Sequence, residues 1–192
     1  RPPRSTLFPY TTLFRSGKGK TRVGRSARRK RSDGNLEDVQ WFTQQIQDCE
    51  AAMYRLAMSI LCSEEDAADA AQESILIAYQ KLPTLRDRSR FRPWLLRILT
   101  HECYAILRQR KSLVPFESLP DQEAPAVSET SEDLWQAVCD LSEQLRSVVV
   151  LYYYEGFSAR ETGEILGISE ANVKTRLSRA RKRLREQLEA SQ

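Results

Sequence analysis

Ser158-Ala-Arg-Glu161-Thr-Gly-Glu-Ile-Leu-Gly167-Ile-Ser169-Glu-Ala-Asn-Val173-Lys-Thr-Arg-Leu177-Ser-Arg-Ala180-Arg-Lys-Arg-Leu184-Arg185 decides the fold. Ser158 with Glu161 three residues on is a capping box, in which each residue satisfies a backbone N–H that the first helical turn leaves unpaired. The helix so opened ends at Leu166, and Gly167 supplies the left-handed residue of a tight turn. Ser169 then caps a second helix, whose apolar positions Val173, Leu177, Ala180, Leu184 and Leu188 recur at spacings of three and four. Around that stripe, seven bases and no acid lie between Lys174 and Arg185. A short helix, a glycine turn and a second helix with an exposed polar start make a helix-turn-helix, whose second helix enters the DNA major groove. Ser169, Glu170, Asn172, Lys174 and Arg176 stand where base edges are reached, and the later arginines meet phosphates. A basic amphipathic helix can also be a merely solvated face. Two consecutive caps, the glycine turn and the missing acids weigh against that reading.

Upstream, the same periodicity continues. Asn35 with Asp38 reads as an N-cap, followed by Val39, Phe42, Ile46, Cys49, Met53, Leu56 and Ile60 along one stripe. Ser63 with Asp66 opens a second helix that Pro83 stops. A third runs from about Arg90 to Lys111, with Pro93 tolerated in its first turn. Residues 112–131 hold Pro115, Pro120 and Pro125 with several acids and no base, the composition of an extended acidic linker. Helices opened by Ser131 and Ser142 precede the helix-turn-helix. No segment alternates with period two, so the expected fold is all-α: a small bundle over 35–111 and a helix-turn-helix domain over 132–192, joined by the flexible linker.

Charge divides the chain differently. Of 192 residues with net charge +4, residues 1–34 hold eleven Lys/Arg against Asp33 alone, so the body beyond them is acidic. The tail lacks periodicity and reads as disordered. Its near-tandem Thr6-Leu7-Phe8 and Thr12-Leu13-Phe14 resemble translated sequencing-adapter sequence, which leaves open whether the segment is native. Gly19-Lys20-Thr21 imitates the end of a phosphate-binding loop, but Phe14 stands where that loop needs glycine. Cys49, Cys62, Cys103 and Cys139 form no C-x-x-C pair and have one histidine, His101, beside them, so neither a metal site nor a cofactor is expected. No apolar run approaches bilayer length, so no membrane insertion is expected, and the cysteines fit a reducing cytoplasm.

Two further faces carry chemistry. Between Arg86 and Lys111 eight bases are interleaved with Phe91, Trp94 and Tyr104. Cations beside rings suit single-stranded nucleic acid, although Phe91 and Trp94 also have the spacing of core positions. Glu64, Glu65, Asp66, Asp69 and Glu73 make the preceding helix acidic, which fits either solvent or a basic protein surface.

The run from Asp66 through Ala-Ala-Asp69-Ala-Ala-Gln72-Glu73, followed by Phe91-Arg-Pro-Trp94-Leu-Leu-Arg-Ile, resembles region 2 of bacterial RNA polymerase sigma factors. Leu141-Ser-Glu-Gln-Leu-Arg-Ser-Val-Val-Val-Leu-Tyr-Tyr-Tyr-Glu-Gly-Phe-Ser158, continued through Ile165-Leu-Gly-Ile-Ser169 and Val173-Lys-Thr-Arg-Leu-Ser-Arg-Ala-Arg181, resembles their region 4. With no region 3 between them, the chain is similar to the extracytoplasmic-function (ECF) group of the sigma-70 family. The resemblance implies docking of Asp69, Gln72 and Glu73 on core RNA polymerase. It implies contacts of Arg92, Arg97, His101, Arg108 and Arg110 with the promoter −10 element, and of Arg160, Ser169, Glu170, Asn172, Lys174, Thr175, Arg176, Arg179 and Arg181 with the −35 element. It also implies an anti-sigma factor as a partner. The chain departs from many relatives at His101 and Ala105, where they carry Asn and then Asp, so the resemblance implies no particular −10 sequence preference.

The function expected is therefore promoter recognition and melting with core polymerase in the cytoplasm. The alternative is a helix-turn-helix regulator that binds an operator without polymerase; an acidic body lacks the long-range positive field that such unaided binding uses. An enzyme needs convergent catalytic groups, and a single histidine without a metal cluster or phosphate-binding loop supplies none.

Overall fold

The computed structural model describes residues 27–113 and 132–190, so the tail through residue 26 and most of the linker lie outside the described residues. Helix α1 spans Ala27–Leu61, α2 Glu64–Lys81 and α3 Phe91–Leu113. The second group is α4 Glu132–Cys139, α5 Glu143–Val149, α6 Ala159–Leu166 and α7 Glu170–Ala190. No strand occurs among the described residues, and the all-α expectation holds. Residues up to Val39 form one unit and Gln40–Gln192 another.

The start of α1 is a correction. The sequence places it at an Asn35 cap, but the helix begins at Ala27. Ala27-Arg-Arg-Lys-Arg31 are all good helix formers, and their summed propensity carries the helix across Gly34-Asn35.

Most other boundaries follow the local rules, although Ser142 starts α5 without a side-chain capping bond. The Ser63 side chain accepts from the Asp66 N–H, and α2 stops one residue before the turn Leu82–Thr84 that contains Pro83. In the turn Arg88–Arg90, which leads into α3, the Asp87 carboxylate accepts from the Ser89 N–H. From Gln40 on, α1 buries Phe42, Cys49, Met53, Leu56 and Ile60 in a single core cluster. Phe91 is 1% exposed and sits edge-on to Trp41 and Phe42 at 5.2 and 5.7 Å, so it is a core residue rather than a base platform. Trp94, half-buried, packs against the same cluster.

Between Ser147 and Glu155 the run Val148–Tyr154 is continuously apolar or aromatic. Val148 to Leu151 are buried, and α5 runs directly into a π turn, Val150–Tyr154. The Glu155 N–H closes that turn on the Val150 carbonyl at 3.0 Å, and Gly156 (φ 71°) reverses the chain toward α6. Tyr152, Tyr153 and Tyr154 stay outside while Glu155 turns inward to 6% exposure. No helix among the described residues is long and apolar enough to cross a membrane.

Candidate nucleic-acid interface

The helix-turn-helix forms as its caps dictate. The Ser158 Oγ accepts from the Glu161 N–H at 3.2 Å and the Glu161 carboxylate accepts from the Ser158 N–H at 3.0 Å, which completes the capping box. The Ser158 hydroxyl, which also donates to that carboxylate at 2.7 Å, and then the Ser158 N–H hold the Glu161 carboxyl below its ordinary range. Gly167 has φ 69°, and the Ser169 Oγ accepts from the Asn172 N–H at 3.2 Å to start α7. Gly163 was not singled out by sequence reasoning, yet it fixes the turn. A Cβ on it would stand 2.6 Å from the Ile168 carbonyl oxygen, so the chain after α6 returns over a position that only glycine leaves open.

Val173, Leu177 and Ala180 are buried and Leu184 is half-buried against the core, while Leu188 lies outside the described side chains. Ser169, Glu170, Asn172, Lys174, Thr175, Arg179 and Arg181 are all exposed, and Arg160 is exposed on α6. Glu170 and Lys174 pair at 2.6 Å one turn apart, which lowers the carboxyl and raises the amine. Arg176 is different: it is half-buried on the inner side of α7, near Tyr104 of α3. Burial first, and then the Glu143 carboxylate, push the Tyr104 hydroxyl above its ordinary range, with Arg176 acting in the opposite sense.

On α3 the five candidates do not share one face. At 100° per residue, Arg97, His101 and Arg108 fall within roughly 40° of one another, whereas Arg92 and Arg110 coincide on the opposite side, roughly 140–180° away. The first three are exposed. Arg110 is half-buried, ion-paired with Asp66 and donating to the Leu61 carbonyl, so it ties α3 to the junction of α1 and α2. Arg92 donates through Nη2 to Glu155 Oε2 at 2.6 Å and through Nη1 to the Glu155 carbonyl at 3.2 Å, with its guanidinium 4.8 Å over the Phe157 ring. Arg55 from α1 donates to the other Glu155 oxygen at 2.6 Å. Arg146, 8% exposed, donates to the carbonyls of Ser59 and Cys139. Sequence reasoning missed Glu155, Arg55 and Arg146; the available signal was an acid inside an otherwise apolar run, which demands a buried cation.

Asp69, Gln72 and Glu73 are exposed on α2 and continue into Leu76, 56% exposed, at spacings of three and four. That is one stripe, acidic at one end and apolar at the other. Among the described residues no three His, Cys, Asp or Glu side chains are gathered to hold a metal. Burial pushes the Cys103 thiol up to about 12, which leaves it an inert core group.

A sigma-70 region 2 profile matches residues 46–113 and a sigma-70 region 4 profile matches residues 131–184. Over 149 residues the chain is 32% identical to the RNA polymerase sigma factor SigV of Bacillus subtilis, spanning 74% of this chain and 88% of that one. Over 171 residues it is 32% identical to the ECF RNA polymerase sigma factor SigM of Mycobacterium tuberculosis, spanning 84% and 87%. The chain belongs to the sigma-70 family, in its ECF group. The fold of this sigma factor is similar to that of RpoE from Bartonella quintana, solved in complex with the anti-sigma factor NepR. That match has a TM-score of 0.63 and 29% identity, and covers 79% of this chain and 98% of that one. It is also similar to CnrH in complex with the cytosolic domain of CnrY, with a TM-score of 0.56 and 25% identity, covering 79% and 89%. The role of the sigma factor is in transcription initiation, and an operator-binding regulator that works without polymerase is not favoured.

Proposed function

We propose that this sigma factor divides promoter recognition among three exposed faces. The α2 stripe Asp69, Gln72, Glu73 docks on core RNA polymerase. Arg97, His101 and Arg108 of α3 receive the −10 element, with Arg92 and Arg110 of the same helix contributing once the promoter is engaged. Arg160 and the α7 residues Ser169, Glu170, Asn172, Lys174, Thr175, Arg179 and Arg181 receive the −35 element, with Arg176 at its inner edge. The observation that carries this reading is that Arg97, His101, Arg108 and most of the α7 set are exposed while Phe91 is buried and Trp94 and Tyr104 are half-buried against the core, so exposed polar and basic side chains rather than stacked rings meet the DNA.

The two helical groups, 35–111 and 132–192, act as separate reading heads on the linker 112–131, and no bond is made or broken by the chain. It works with polymerase in the cytoplasm, and an anti-sigma factor is its natural antagonist, as NepR and CnrY are partners of the two similar proteins. The test is run-off transcription with purified core polymerase. Wild-type protein is expected to initiate at a cognate promoter. Substitution of Asp69, Gln72 and Glu73 by alanine is expected to abolish initiation together with retention on immobilised polymerase. Initiation by that triple variant at the wild-type rate refutes the docking assignment.

A further inference from the structure

Arg92 faces two claims. It lies on the helix that is proposed to read the −10 element, yet both of its donors toward Glu155 are engaged within the folded chain. The Glu155 side chain is 1% exposed and carries one arginine on each oxygen, Arg55 and Arg92, each at 2.6 Å. Both arginines come from the first helical group and the carboxylate from the second. The same seam is crossed by Arg146, which reaches from α5 to the Ser59 carbonyl in the last turn of α1 at 2.7 Å, where the helix dipole favours a cation. At its rim Arg90 pairs with Glu164 of α6 at 2.6 Å. Tyr104 of α3 also meets Glu143 of α5 across it.

We infer that Glu155 is a latch: in the free chain it holds the second helical group against the first, keeps Arg92 from DNA, and is displaced when the phosphates of single-stranded DNA compete for Arg92. A carboxylate and a phosphate are equivalent ligands for a guanidinium, so the two states exchange one anion for another. Opening therefore leaves Arg92 paired and returns Glu155 to water, where its charge is well solvated. This keeps the two states close enough for binding to shift the balance between them. The apparent affinity of the free chain for DNA is lowered by the fraction of molecules that are closed. The consequence for promoters rests on the proposed function; the latch itself is a property of the chain.

The experiment uses the full chain and three proteins: wild type, Glu155→Ala and Arg55→Met, the last removing a latch arginine that is not assigned to DNA. Small-angle scattering reports the shape, circular dichroism the helix content, and fluorescence anisotropy the affinity for a random-sequence single-stranded DNA 12-mer. Wild-type scattering is expected to match a compact unit. Both variants are expected to expand at unchanged helix content and to bind the oligonucleotide on the order of tenfold more tightly. An extended wild-type profile overturns the inference at once, whether or not the variants fold. Folded variants with wild-type scattering and affinity overturn it equally. Run-off transcription with core polymerase, performed on the same three proteins, separates the two ideas: absence of initiation by all three counts against the sigma-factor assignment and leaves the scattering result to decide the latch.

Discussion

Replacement of Gly163 by alanine sets two opposed effects against each other. In an open helix interior the change stabilises, because alanine has a better helix propensity than glycine by about 1 kcal/mol. Here the new Cβ would lie 2.6 Å from the Ile168 carbonyl oxygen and 3.5 Å from the Glu170 amide nitrogen. Both are backbone atoms of the turn, so no side chain can swing aside. Relief requires the turn to move outward by the better part of an ångström. That displacement strains two bonds that converge on the Gly163 carbonyl, from the Gly167 N–H and, at 3.0 Å, from the Ile168 N–H. Overpacking of this kind costs about 1–3 kcal/mol, so the steric term offsets the propensity gain and the net change is a destabilisation of up to about 2 kcal/mol. For a chain of this size that lowers the melting temperature by up to roughly 8 °C. Because the displaced turn also re-aims α7, binding to −35 DNA falls more than stability does. Differential scanning calorimetry with a gel-shift on polymerase holoenzyme measures both. A melting temperature above that of wild type refutes the claim that the turn occupies the space over Gly163. Gly167→Ala is the companion variant: no atom lies within 4 Å of its added Cβ, so its cost is the left-handed φ of 69° alone.

Other outcomes follow from the same geometry. Ser158→Ala removes the acceptor of the α6 cap and is expected to cost about 1 kcal/mol in chemical denaturation. The Glu161 carboxyl is held low by that cap, so its contribution is present above its ordinary value and lost as pH falls through the lowered one; unfolding midpoints followed from pH 6 to pH 3 should decline less steeply in Glu161→Gln than in wild type. Arg108→Ala is expected to leave thermal stability unchanged and weaken −10 DNA binding, whereas Arg110→Ala is expected to lose about 0.5–1 kcal/mol through its Asp66 and Leu61 partners; equal melting temperatures for the two contradict the division of α3 into faces. The Thr162 hydroxyl is buried without a hydrogen-bond partner, so Thr162→Val is expected to be neutral or stabilising in the same assay.

How much of this was legible in the sequence depended on range. Ser63, Ser158, Gly167 and Ser169 act within a few residues of themselves, and each does what its spacing indicates. The buried stripe of α7 was equally legible, since a helix repeats its own face. The Asn35 cap failed because a cap competes with the propensity of what precedes it, and the Arg-Lys run before it favours helix. For the site, exposure of the α7 set followed from the stripe, but the split of the α3 arginines did not. Arg92 and Arg97 look alike in the chain, and only Glu155, 63 residues beyond Arg92, distinguishes them. Arg55 is 100 residues from the same carboxylate. No local pattern encodes a pairing over such separations. Gly163 was hidden for a related reason: the atom that forbids a side chain there belongs to a turn five residues on, and its proximity exists only once the turn has closed.

The π turn at Val150–Tyr154 gives the three tyrosines a meaning that their chemistry does not. A π turn is a helix carrying one residue more than its neighbours, so the run between Val149 and Glu155 acts as a ruler. Shortening it by one tyrosine, of whatever identity, would restore regular α-helix and swing the following carboxylate by about 100°. What natural variation can alter cheaply at Tyr152–Tyr154 is therefore the side chain; the number of residues is the conserved quantity this geometry demands, and an alignment gap at that point would mark a protein whose two helical groups are held together differently, or not at all.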